Sequence, residues 1–207
     1  MDRFIELLQA ERVVPVVAIE SPERAPGLAK ALLAGGISLI EVTFRTERAA
    51  EAIAAIRDEA PDMRLCAGTV LTPEQAKTAI EAGAQAVVSP GTNAEVVRFC
   101  QNAGIPVMPG CATPTEVEAC LALGLSALKF FPAEVMGGVA MLKALSGPYG
   151  AVRFMPTGGI DCRNLRDYLA LPNVLACGSS WIAPKALIEA GDFSEITERA
   201  RQIKTLC

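Results

Sequence analysis

The 207-residue chain contains no histidine. That absence excludes Ser-His-Asp and Cys-His nucleophilic machinery, and it argues against a catalytic zinc or His-carboxylate metal site. Acid–base chemistry is left to carboxylates, lysine, tyrosine, thiols, backbone or water. No metal and no other cofactor is expected. An excess of one charge is also missing. With 19 basic and 23 acidic residues the net charge is −4, which offers no attraction for nucleic acid or an anionic membrane. A phosphate-bearing small molecule stays compatible, because a local site can be positive on an acidic protein. No apolar run approaches the roughly 20 residues of a membrane span. The N-terminus, Met1-Asp2-Arg3-Phe4-Ile5-Glu6-Leu7-Leu8, reads as a short amphipathic helix and not as a leader. The seven cysteines (66, 100, 111, 120, 162, 177, 207) are odd in number and form no CxxC pair. Most lie in apolar segments, so reduced thiols and a cytoplasmic setting are expected.

What is present is a repeating unit. Half the residues are hydrophobic and aromatics make up 5%, the profile of an α/β protein large enough for one domain, taken here as 1–207. Apolar strands are predicted at 13–18, 38–43, 64–67, 86–89, 106–108, 127–130, 152–155 and 174–177. Helices alternate with them at 22–34, 47–58, 73–82, 93–103, 114–123, 138–146, 163–170 and 193–205. The first of these takes Ser21 as its cap and Pro22 at its first position. Helix-stopping glycines at 83, 104 and 124 precede strands at intervals of 21 and 20 residues. Strict alternation with short loops means a parallel sheet with right-handed crossovers. Eight units close most economically into a (β/α)8 TIM barrel, preceded here by an extra N-terminal helix. An open doubly wound sheet would need a glycine fingerprint after the first strand, and Ala18-Ile19-Glu20-Ser21 has none.

The segments after the strands are small, hydroxylated and proline-rich, at the end where such barrels hold their sites. The sixth strand carries Lys129 between Ala127 and Phe131 on one face. Desolvation of a lysine there favours the free amine, which can attack a ketone. The same side chain could instead extend into water or pair with an acid. On the second strand Leu39, Glu41, Thr43 and Arg45 share parity, so an inward-facing Glu41 would meet Lys129 and leave Arg45 at the rim. Glu41 read alone serves equally as a structural ion-pair partner. Pro156-Thr157-Gly158-Gly159-Ile160 and Gly178-Ser179-Ser180-Trp181 follow the last two strands, the usual phosphate seat of this fold. A helix beginning after Ser180 is expected to point its amides at the anion.

These segments, with Glu41-Val42-Thr43-Phe44-Arg45-Thr46, Ala67-Gly68-Thr69-Val70, Ser89-Pro90-Gly91 and Lys129-Phe130-Phe131-Pro132-Ala133-Glu134, resemble the 2-keto-3-deoxy-6-phosphogluconate (KDPG) aldolase family, which also covers 4-hydroxy-2-oxoglutarate (KHG) aldolase. The resemblance runs in order from about Val13 to the C-terminus. It implies a class I, Schiff-base lyase on a (β/α)8 barrel that assembles as a homotrimer. Carried over by motif, Lys129 is the Schiff-base lysine and Glu41 the acid–base residue. Arg45 and Thr69 contact the pyruvyl carboxylate, Pro90 and Phe131 line the pocket, and Gly158, Gly159 and Ser180 bind phosphate. Ser179 stands where some relatives have a second glycine, and its backbone N–H remains available. Thr157 favours the gluconate epimer or hydroxyoxoglutarate over 2-keto-3-deoxy-6-phosphogalactonate, whose aldolases carry an apolar residue there. A barrel that binds a phosphate ligand without catalysis, or an isomerase, is the reading from another class.

Overall fold

The computed structural model describes residues 2–207. Its elements in order are α1 (Asp2–Glu11), β1 (Val13–Val17), α2 (Ala25–Ala34), β2 (Leu39–Thr43), α3 (Ala49–Glu59), β3 (Arg64–Gly68), α4 (Pro73–Ala82), β4 (Ala86–Val88) and α5 (Ala94–Asn102). There follow β5 (Val107–Met108), β6 (Gly110–Cys111), α6 (Pro114–Ala122), β7 (Ala127–Phe130), α7 (Gly138–Ser146), β8 (Arg153–Pro156), α8 (Leu165–Leu169), β9 (Cys177–Ser179), α9 (Lys185–Ala190) and α10 (Phe193–Lys204). Met1, which the sequence reading included in the first helix, lies outside the described residues.

The fold is a mostly parallel α/β arrangement around a curled sheet. Six strands pair in the order β5-β4-β3-β2-β1-β9, and three more in the order β6-β7-β8, every pairing parallel. Only Pro109 separates β5 from β6, because a proline has no N–H for the ladder. Its carbonyl still accepts from Lys129 N–H at 2.9 Å. Parallel bridges Phe154↔Val174 and Thr157↔Gly178 link β8 to the β9 segment.

Strand alternation sorts the side chains. Leu39, Ala127 and Met155 point inside the curl with Val14, Cys66 and Met108, and Phe4 and Leu8 of α1 pack onto this cluster. Their neighbours Ile40, Leu128, Phe130 and Phe154 point outward to the helices. A period of two on strands covered on both faces accounts for both sets.

Several expected boundaries shift. The last strand is Cys177–Ser179, not 174–177; Val174 contributes only the bridge to Phe154. The helix placed at 22–34 is a 3-10 turn, Pro22–Arg24, followed by α2. Ser21 caps neither, because its hydroxyl donates to Glu189 Oε2 at 2.8 Å. At Thr72-Pro73 and Thr113-Pro114 the same kind of dipeptide does cap, through Gln75 and Glu116 N–H. The helix expected to begin after Ser180 starts only at Lys185, as the six-residue α9.

Candidate active site

Glu41 and Lys129 come from β2 and β7, on strands whose parity turns both side chains inward. Lys129 Nζ donates to Glu41 Oε1 at 2.9 Å. The lysine is 4% exposed and the glutamate 0%. Glu41 Oε2 has no hydrogen-bond partner among the described residues. The ammonium also sits 5.4 Å from the centroid of the Phe131 ring, within cation–π range. Residues 88 apart in sequence thus form one buried ion pair beside a cavity of about 300 Å³.

The cavity is lined by Glu41, Lys129, Arg45, Thr69, Pro90, Phe131, Thr157, Gly158 and Ser180, together with Val16 and Thr43. All but one of the residues singled out from the sequence therefore share one wall system. Gly159 is the exception. Its φ of +80° suits glycine, and a Cβ there would lie 2.7 Å from Glu134 Cγ, so it makes room for a neighbouring loop.

Thr43 carries more than its place on the strand suggested. Its hydroxyl donates to the Val17 carbonyl at 2.7 Å and accepts from Arg45 Nε at 3.0 Å. With Nε engaged, the two terminal nitrogens of the guanidinium are left for a planar anion such as a carboxylate. Thr69 has φ +56°, a left-handed conformation that is rare for a β-branched residue and costs on the order of 1–3 kcal/mol. Thr69 holds this conformation on the wall of the cavity. Gly68 was missed because its requirement is purely spatial: a Cβ there would stand 2.2 Å from Glu41 Oε1. No pattern in the sequence announces that contact.

At the other end, Thr157 Oγ1 is buried without a partner among the described residues. The Gly159 and Ser180 amides likewise find no acceptor among the described residues. Ser179 is not a bystander: its hydroxyl donates to the Ile160 carbonyl at 2.7 Å and accepts from Trp181 N–H at 3.3 Å, tying the two loops together. The helix expected directly after Ser180 is absent there. Helix α9 begins at Lys185, beyond Pro184, so the polar groups these loops present to the cavity are loop amides and hydroxyls and not a helix N-terminus.

Inside the curl Cys66 is buried, and burial first, then the nearby Glu41 charge, pushes its thiol well above the ordinary range. Burial pushes Cys111 up to about 12. Both thiols stay protonated, and neither lines the cavity.

A sequence profile described as KDPG and KHG aldolase matches residues 4–199. A 2-dehydro-3-deoxy-phosphogluconate aldolase of Treponema pallidum is 56% identical over 98% of this chain and 96% of its own length. The KHG/KDPG aldolase of Escherichia coli K12 is 47% identical over 95% and 92%. Among solved structures, a Legionella pneumophila KDPG aldolase with pyruvate captured as a covalent carbinolamine superposes with TM-score 0.93, at 42% identity over 96% of this chain and 97% of its own. The chain belongs to the KDPG and KHG aldolase family.

Proposed function

We propose that the protein is a class I aldolase that cleaves 2-keto-3-deoxy-6-phosphogluconate to pyruvate and glyceraldehyde 3-phosphate, and 4-hydroxy-2-oxoglutarate to pyruvate and glyoxylate. The observation that carries this reading is the buried 2.9 Å contact between Lys129 Nζ and Glu41 Oε1 on the wall of a cavity that also presents Arg45. The names of the relatives at 47–56% identity agree with it.

The chemistry follows from the residues. Glu41 takes a proton from the Lys129 ammonium, and the freed amine adds to the C2 ketone. Glu41 returns that proton to the carbinolamine hydroxyl, whose loss as water gives an iminium, an electron sink for the C3–C4 bond, and leaves Glu41 a carboxylate. Glu41, through a water, removes the C4 hydroxyl proton, and the bond breaks to an aldehyde and an enamine. A proton returned to C3 gives the pyruvate iminium, whose hydrolysis frees pyruvate and the amine. One carboxylate moves every proton, which accounts for a site without histidine. Arg45 and Thr69 hold the carboxylate of the substrate, and Pro90 and Phe131 bound its carbon chain. Gly158, Gly159 and Ser180 hold the phosphate. The Thr157 hydroxyl, buried and without a partner among the described residues, selects the gluconate over the galactonate epimer.

The finer architecture belongs to the same reading. The two strand groups, the β8–β9 bridges and the β5–Pro109–β6 continuation are consistent with one domain, residues 1–207, forming a (β/α)8 barrel closed at its base by α1. A homotrimer is proposed from the family resemblance; Val135, 83% exposed, gives it apolar surface to bury. The proposed cytoplasmic setting fits the seven free thiols, five of them buried. Borohydride reduction in the presence of pyruvate tests the central claim. Mass spectrometry should find a reduced adduct on the peptide containing Lys129. An adduct on Lys143 or Lys185, or none, refutes it.

A further inference from the structure

Outside the cavity, the segment around Glu134 makes contacts through both its side chain and its backbone. Tyr168 of α8 is fully buried, and its phenol donates to Glu134 Oε1. The backbone N–H of Glu134 donates to the Gly158 carbonyl at 3.1 Å, and that of Ala133 to the Thr157 carbonyl at 2.8 Å. Asn164, just before α8, donates from Nδ2 to the Gly159 carbonyl at 3.0 Å. Two glycines with positive φ make the approach possible. A Cβ on Gly138 would stand 2.8 Å from Tyr168 Oη and 3.1 Å from Glu134 Oε1, and one on Gly159 would strike the Glu134 side chain. The Gly158-Gly159 turn is therefore gripped from the 133–134 segment on one side and from the start of α8 on the other.

We propose that Glu134 and Tyr168 form a clamp that positions the Gly158-Gly159 turn for the phosphate of the substrate, although neither residue lines the cavity. The inference rests on the reading of that turn as a phosphate seat. Both are positioning residues. A loop that binds an anion through backbone amides has no long side chain with which to adjust, so its amides must be held in place beforehand. Displacements near 1 Å at such a point cost large factors in binding or rate. A buried phenol also needs a partner, and Glu134 is the acceptor within reach. Burial, followed by the bond to Glu134, raises the ionisation of Tyr168 above its ordinary range, so the phenol remains a donor.

Steady-state kinetics on two substrates tests the clamp, because only one of them carries a phosphate. Tyr168→Phe removes the donor and keeps the packed ring. It is expected to raise KM for 2-keto-3-deoxy-6-phosphogluconate about 10-fold, and to change kcat and KM for 4-hydroxy-2-oxoglutarate less than about twofold. Glu134→Gln keeps an acceptor oxygen and should stay close to the parent, whereas Glu134→Ala should reproduce the phosphate-selective loss. The double variant Tyr168→Phe/Glu134→Ala should be no worse than Glu134→Ala alone, since the two groups act as one unit. Equal losses on both substrates, or no loss on either, overturn the clamp while leaving the aldolase reading intact. If Tyr168→Phe does not fold, the comparison of Glu134→Ala with Glu134→Gln decides the matter alone by the same criterion. A parent enzyme that yields no borohydride adduct with pyruvate refutes the aldolase reading, and the clamp with it.

Discussion

Lys129→Met isolates the buried ion pair. Methionine nearly matches lysine in length and volume, so the substitution opens little cavity and its effect reports the charge. At an effective dielectric near 20, opposite unit charges 2.9 Å apart attract by about 6 kcal/mol. Desolvation of both groups offsets part of this, and removal of one partner from a buried pair costs about 3–5 kcal/mol. The damage is expected at the upper end of that range, because Glu41 Oε2 already lacks a partner and the variant would strip Oε1 as well. Against a total stability of about 5–15 kcal/mol, that is a large fraction. Urea unfolding followed by circular dichroism should show the midpoint falling with the slope unchanged. Glu41→Gln/Lys129→Met, which buries two neutral groups, should be more stable than Lys129→Met alone. The exposed pair Lys30–Glu59, at 3.8 Å and about 60% exposed on each side, supplies the control: Lys30→Met should change stability by less than about 1 kcal/mol. A loss for Lys129→Met as small as that of Lys30→Met would refute the low-dielectric pair. So would single-variant losses that simply add in the double variant.

Glu41→Gln should still allow some trapping of pyruvate but slow exchange of its methyl protons with deuterated water by about 10²–10⁴-fold, and exchange at the parent's rate would make Glu41 structural. Thr43→Val keeps the strand-compatible shape and removes the hydroxyl that engages Arg45 Nε; pyruvate concentrations for half-maximal trapping should rise about 10-fold, with Thr43→Ser close to the parent. If valine traps as well as threonine, Arg45 needs no such support. Glu116 accepts from the Ala112 N–H at 2.7 Å and from the Thr113 N–H and hydroxyl, and these bonds, Ala112 first, hold its carboxyl below the ordinary range. A carboxyl depressed in the folded state contributes stability above its unfolded value and loses it as pH falls through the folded one. Glu116→Gln should therefore lower Tm at pH 7 and close the gap to the parent below about pH 4.5, whereas a gap independent of pH would contradict the assignment.

Periodicity and punctuation made most of the fold legible. Apolar runs, helix-stopping glycines and proline-initiated helices are local signals, and their alternation implies parallel pairing whatever the contacts. Strand parity alone put Glu41 and Lys129 on candidate inward faces, and the ordered motifs named the residues of the cavity. Local signals could not decide how Ser21 would spend its hydroxyl, because Glu189 lies 168 positions away. Nor could they place the last strand, whose short, glycine-containing run takes its register from β1. The need for glycine at 68 and 159 is a matter of distance to Glu41 and Glu134, and distance exists only after the chain has folded. The same holds for the left-handed Thr69, the hydroxyl of Thr43 between Val17 and Arg45, and the phenol of Tyr168 on Glu134. Sequence fixes which groups are available and which face they take; tertiary packing decides which of them meet, because hydrogen bonds and steric limits act over a few ångströms irrespective of separation along the chain.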